Sequence, residues 1–146
     1  MNIVLSSKVS KDSREALEDL LYFNPRQHVV REGIVEVVQK FGKPRVVESG
    51  DGLSIQVGEQ PAQALFAFDL DGDRDVPVGL VVFLRTQPDE VAIMHMAVDA
   101  DYALKGRQAG MGLGVVLMEQ VKDLCRRIVG VKKIALSYRR GIVIRL

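Results

Sequence analysis

The segment Arg107-Gln108-Ala109-Gly110-Met111-Gly112-Leu113-Gly114 sets glycines at alternate positions just ahead of a run with helical apolar spacing. Glycine lets a backbone turn sharply and come close to a ligand. Amide groups freed at a helix start, at the positive end of the helix dipole, suit a phosphate. Two known phosphate loops do not fit. The dinucleotide fingerprint requires a third glycine three positions after its second, whereas Gly114 follows Gly112 by two. The nucleoside-triphosphate loop ends in Gly-Lys-Ser/Thr, a sequence this segment lacks.

Other reactive residue types are sparse. Asp69, Asp71, Asp73 and Asp75 alternate as in a calcium loop, but Arg74 and Leu80 occupy the places of its glycine and closing glutamate. They read as a hairpin turn. Two histidines and one cysteine, far apart, make no zinc set, so no metal is expected. Cys125 falls on the apolar side of its helix and reads as core.

The elements that must position the glycine segment follow from periodicity. Ile3 to Leu5 reads as a short strand, and Asp12-Ser13-Arg14-Glu15 has capping-box spacing before a helix bearing Ala16, Leu17, Leu20 and Leu21. That helix ends before Asn24-Pro25. A second helix aligns Val30, Ile34, Val37, Val38 and Phe41, closed by Gly42. The period then drops to two. Strands are expected over 45–48 and 53–57, 62–70 and 78–85, and 90–98, joined by turns rich in Gly, Asp and Pro. After Gly114 a third helix turns Leu117, Val121, Leu124, Cys125 and Ile128 inward and stops at Gly130. A strand over 134–138 follows, then a short one over 142–146.

A helix crossover returns the chain in the same direction, so the strands at 90–98 and 134–138 should be parallel neighbours. The fold class is therefore α+β: one domain over 1–146, with a mixed, mostly antiparallel sheet and helices on both faces.

Arg107-Gln108-Ala109-Gly110-Met111-Gly112 resembles motif A of the GCN5-related N-acetyltransferases (GNAT), written Gln/Arg-x-x-Gly-x-Gly/Ala. The flanking order of strand, loop, helix and strand over about residues 90 to 138 resembles that family too. The resemblance implies an acyl-CoA N-acyltransferase architecture with acetyl-CoA as co-substrate. Its pyrophosphate would lie on backbone amides of Arg107, Gln108, Ala109, Gly110, Met111 and Gly112. Its pantetheine arm would lie along Met96, Ala97 and Val98, in a splay between the two parallel strands. Gly112-Leu113-Gly114 offers a second register for the helix start, with Ala109 in place of the motif's Arg or Gln.

The resemblance also implies direct attack by an amine on the thioester, which needs a base and a donor for the leaving thiolate. His95, on the strand before the loop and sharing a face with Val91, Ile93 and Ala97, is the candidate base. Tyr138, closing the far wall of the splay, is the candidate acid. Glu90, Asp99, Arg139, Arg140 and the Tyr22–Arg26 junction are weaker candidates. After Tyr138 only eight residues follow, where the family continues with a helix and further strands. This favours an alternative: a degenerate GNAT-like domain with a structural or interaction role. The missing strands also predict that residues 141–146 either cover the sheet edge at 134–138 or pair with a second subunit as a homodimer.

Composition bounds the partners. Apolar residues make up 47% and charged residues 27%, as in a soluble globular chain. No apolar run approaches the roughly 18 residues of a membrane span. The amino terminus is not patterned as a signal peptide. A single cysteine admits no intrachain disulfide, and the reading places the protein in the cytoplasm. The net charge of +1 is uneven: ten Lys and Arg stand against 17 Asp and Glu over residues 1–104, but against Glu119 and Asp123 alone over 105–146. A basic segment beside a glycine turn favours a polyanionic cofactor. Nucleic acid is disfavoured, because the basic residues are not interleaved with aromatics. The acceptor is expected to be an amine, on a small molecule or a peptide.

Overall fold

The computed structural model describes residues 2–22, 42–102, 112–137 and 142–146. Its elements are β1 (Ile3–Ser6), α1 (Arg14–Tyr22), β2 (Pro44–Ser49), β3 (Gly52–Val57), β4 (Gln60–Asp69), β5 (Gly79–Gln87), β6 (Glu90–Val98), α2 (Leu113–Arg126), β7 (Lys133–Leu136) and β8 (Val143–Arg145). The helix expected over 30–41 lies outside the described residues, as do 23–26 of the junction.

The strands form one sheet in the order β2-β3-β4-β5-β6-β7-β8. β1 pairs with the far end of β4 (Ile3↔Asp69 to Ser6↔Phe66), on the edge whose near end is taken by β3. All neighbours are antiparallel except β6 and β7, which run parallel as the crossover through α2 requires.

Alternation along the strands divides the core in two. Leu80, Val82, Ala92 and Met94 face α1 and pack with Leu17, Leu20 and Leu21. Val81, Phe83, Val91 and Ile93 face α2 and pack with Leu113, Leu117, Val121 and Cys125. The α2 residues fall at i, i+4, i+8 and i+12, one stripe of the helix, and burying each aliphatic side chain contributes about 1.5–3 kcal/mol. The architecture is the α+β sandwich expected from periodicity.

The entry to α1 differs from the expected capping box. Asp12 lies inside a 3-10 turn (Lys11–Ser13), and the capping residue is Ser10, whose hydroxyl accepts from Asp12 N–H at 3.2 Å. At the other end of the chain, β8 pairs antiparallel with β7 from Lys133↔Arg145 to Ala135↔Val143. Residues 143–145 thus cover the β7 edge, as one of the expected outcomes has it.

Candidate functional site

Helix α2 begins directly from Gly112, whose φ of +58° and ψ of +44° are left-handed, a conformation costly for residues with a Cβ. Among the described residues no side chain caps this end, and its first turn carries no acidic residue. A Cβ on Gly114 would meet nothing within 4 Å. Among the described residues, nothing crowds Gly114. The helix start is held close to the sheet, since a Cβ on Gly79 would lie 3.2 Å from a Leu113 methyl and 3.3 Å from a Leu117 methyl. No sequence motif marks Gly79, which reads only as a glycine at the start of a strand.

Strand β6 leads to this helix, and it is bulged. Phe83 pairs with Ile93 but Val82 pairs with His95, so Met94 is an extra residue in β6. The bulge overturns simple alternation. Val91 and Ile93 face α2, whereas His95 and Ala97, expected on the same side, lie on the α1 side with their partners Val82 and Leu80.

The described ladder of the parallel pair ends at the same point. Its register runs from Glu90↔Lys133 to Ile93↔Leu136, and Ser137 N–H reaches the Ile93 carbonyl at 3.0 Å. β7 ends there, while β6 continues to Val98. Met96, Ala97 and Val98 thus lie on the part of β6 beyond its pairing with β7, between the bulge and the chain that leads to α2.

His95 is buried (6% exposed), and its ring donates a hydrogen bond to the Leu20 carbonyl of α1. Desolvation pulls its pKa down to about 4, although the Leu20 bond favours the charged ring. At neutral pH the imidazole is uncharged, with one nitrogen committed to α1 and the other an acceptor.

Arg107, Gln108, Ala109, Gly110 and Met111 lie outside the described residues, as do Tyr138, Arg139 and Arg140. Glu90 accepts from the Thr86 hydroxyl at 2.9 Å, and Asp99 accepts from Asp101 N–H at 2.9 Å. Both carboxylates thus serve local turns. In the aspartate turn, Asp69 and Asp73 accept from the backbone of Asp71 (3.0 Å) and Asp75 (2.9 Å), as in a hairpin turn. Among the described residues no cluster of His, Cys, Asp or Glu could hold a metal ion. Cys125 is fully buried, and burial pushes its thiol pKa up. Part of the basic tail is paired: Lys122 with Glu119, Arg126 with Asp123 and Lys133 with Asp89.

Asp69 was read only as a turn residue, and Tyr102 not at all. The Tyr102 hydroxyl donates to Asp69 Oδ2 at 2.7 Å. This bond and those from Asn2 and Asp71 hold the Asp69 carboxyl below its ordinary pKa, against the opposing effect of burial. The phenol is pushed up to about 12, mainly by the same bond, so it stays a donor.

The fold and this helix start define an α+β domain with a bulged, splaying parallel pair ahead of a glycine-led helix. No family model matches the chain, and no curated protein does. Some similarity to solved structures is found. The chain is similar to a proposed acetyltransferase from Pyrococcus horikoshii (19% identity, 92% of this chain and 37% of that one, TM-score 0.48). It is also similar to an IAA acetyltransferase from Bacillus cereus (19%, 91% and 63%, TM-score 0.41). A third is a GNAT family acetyltransferase from Elizabethkingia anophelis with acetyl-CoA bound (13%, 91% and 63%, TM-score 0.42). The chain spans less than two thirds of each. No helix among the described residues is long and apolar enough to cross a membrane.

Proposed function

We propose that this chain binds acetyl-CoA at the start of α2 and transfers its acetyl group to an amine. The observation that carries this reading is the coincidence of three features on one strand. β6 bulges at Met94, has its last described parallel pairing at Ile93, and precedes a helix opened by a left-handed glycine. The residues present fit such a ligand. A bulky anionic group favours a helix start without a carboxylate in its first turn, and among the described residues this one has none and no side chain near Gly114.

Backbone amides from Gly112 onward, with 107–111, would hold the diphosphate, and Met96, Ala97 and Val98 would flank the pantetheine arm. The co-substrate supplies an activated acyl group as a thioester. The chain's own residues must orient the amine and accept its proton. His95 is in the protonation state for that task at neutral pH, and its bond to Leu20 sets which nitrogen accepts. Tyr138 remains the proposed donor to the departing thiolate. With one cysteine, a reducing cytoplasm is the proposed setting. A homodimer would use the outer edge of β8, which sedimentation can test.

The test is calorimetric titration with acetyl-CoA, followed by an unbiased panel of amines. Saturable binding that Gly112→Trp abolishes is expected. Absence of any heat across the titration removes the reading.

One observation favours the second reading, a domain that keeps the fold without the chemistry. A ring so buried and so weakly basic makes a poor base. That reading expects acetyl-CoA binding with no transfer to any amine. A transfer rate lost on His95→Ala, in protein that still binds acetyl-CoA, overturns it. If His95 is the base, the rate should hold as pH falls until about pH 4, where the imidazole charges.

The same ring links pH to stability. Its folded pKa lies below the unfolded value of 6.5, so between those limits the unfolded chain binds the extra proton. The benefit of a neutral ring is full above pH 6.5 and drains away toward pH 4, by about 3 kcal/mol. His95→Gln should flatten this part of a denaturant–pH profile.

A further inference from the structure

Two strands share the outer edge of β4, and neither covers its middle. The β3 ladder stops at Ile55↔Ala62, and the β1 ladder stops at Ser6↔Phe66. Among the described residues, no strand faces Gln63, Ala64 and Leu65 on this edge. The gap is closed on its far side. Past Ser6 the chain leaves β4 and reaches β3, where Leu53 N–H donates to the Val9 carbonyl at 3.1 Å and Ser10 bridges to Gly52. The middle of β4, the end of β1 and the start of β3 therefore frame a hole in the sheet.

Backbone direction fixes what points into this hole. In an antiparallel sheet, successive residues direct their N–H and C=O to opposite edges. Leu70 N–H donates to the Asn2 carbonyl at 2.8 Å on the β1 side, whereas the Ala67 carbonyl accepts from Val78 N–H at 2.8 Å on the β5 side. Even-numbered residues of β4 thus address the outer edge. Ala62 and Phe66 commit their groups to β3 and β1, while Ala64 directs its N–H and C=O into the gap.

A cavity of about 530 Å³ occupies the hole. Ile55 and Phe66 wall it from the α1 side of the core, and Phe83 and Leu124 from the α2 side. Its polar side chains include Ser54, Gln63 and Gln120, and among the described residues none that lines it is charged. An anion is therefore a poor occupant, since it would lose water without gaining a counter-charge. An extended peptide fits no better, because the frame is closed at both ends and a single residue of β4 offers bonds. The volume suits a compact ligand. Facing one strand residue, such a ligand needs an N–H and a C=O on either side of a single carbon.

We propose that this gap binds a small uncharged molecule in which an N–H and a C=O flank one carbon bearing an apolar substituent, the unit found in N-acylated amino-acid amides. Its N–H donates to the Ala64 carbonyl, its C=O accepts from Ala64 N–H, and its substituent lies against the apolar walls. The site is separate from the start of α2 and does not rest on the acetyl-CoA reading.

The test follows the amide signals of the full, isotope-labelled chain by heteronuclear NMR as N-acetyl-leucine N-methylamide is added. Signals of Ser54, Gln63 and Ala64 should shift saturably, with half-saturation at about 1 mM or below. Methylating the leucine nitrogen of the probe removes its donor and should weaken binding at least about fivefold. The charged free acid, N-acetyl-leucine, should bind at least about tenfold more weakly. Gln120→Phe fills the cavity from α2, and Ala64→Pro removes one gap-facing N–H while sparing the β5 ladder. Each should weaken the probe at least about fivefold.

Gln120→Phe, on the helix, is the variant that folds most safely. Absence of a saturable shift at those three amides overturns the site. Equal affinity for the methylated probe or for the free acid overturns it too, since apolar contact alone would then explain the shifts. So does undiminished binding in Gln120→Phe when its other signals match the wild type.

Discussion

The two ends of α2 are built in opposite ways. At the carboxyl end, Gly130 turns the chain at φ +89° and the Arg85 guanidinium donates to the carbonyls of Pro88 and Val129, the latter at 3.0 Å. There the Leu124 and Cys125 carbonyls accept from Arg127 and Ile128 N–H at 3.1 Å each, and a basic residue, Arg126, lies in the last turn to complement the dipole. The amino end has a left-handed glycine, no capping side chain, no acid in the first turn, and Val115 and Val116 exposed. A helix end optimised for stability resembles the first. With glycine at the cap, the second gives up only the few tenths of a kcal/mol by which a capping side chain exceeds glycine. Under the acetyl-CoA reading, the second is the end left for the diphosphate.

The largest effects that can break this comparison come from the two left-handed glycines. Gly112→Val and Gly130→Val should each cost about 2 kcal/mol in denaturant unfolding, because both force a branched side chain into the same disfavoured region. Only Gly112→Val should also weaken acetyl-CoA, by at least about tenfold. Equal binding losses would show that the ends do not differ in function.

Next comes Arg85→Met, which removes the bonds to Pro88 and Val129. It should lower stability by about 1 kcal/mol and leave acetyl-CoA affinity alone.

Smallest is Gly114→Ala. With helical geometry and open space for the methyl, it should raise stability by about 0.5–1 kcal/mol. Its effect on binding sharpens the comparison further. A severalfold loss would place the diphosphate over Gly112 and Gly114, whereas unchanged affinity would favour Gly110 and Gly112.

Much of this was legible from residue patterns. The strand at 90–98 was expected with the bounds it has, and the parallel partner after α2 followed from chain direction alone. Leu117, Val121 and Cys125 lie where helical spacing put them. What was not legible depends on pairing between distant segments. The side of the sheet occupied by His95 is set by its register with Val82, and no property of Met94 announces that it is the extra residue. Asp69 reads as a turn aspartate in any local window. Its bond to Tyr102 spans 33 positions and exists only because the ends of β4 and β6 lie near each other. The cap at Ser10 was missed because two adjacent polar runs compete for one helix start and local spacing cannot choose between them.

The extra residue in β6 has a consequence for chain-length variation. Because Ile93 already faces Phe83 and His95 already faces Val82, excising Met94 would close the ladder and leave every other partner in place. A one-codon deletion is thus the mildest edit that straightens this strand. A relative lacking that residue should keep the packing of both sides of the sheet, and should differ mainly in how far its parallel pair stays zipped.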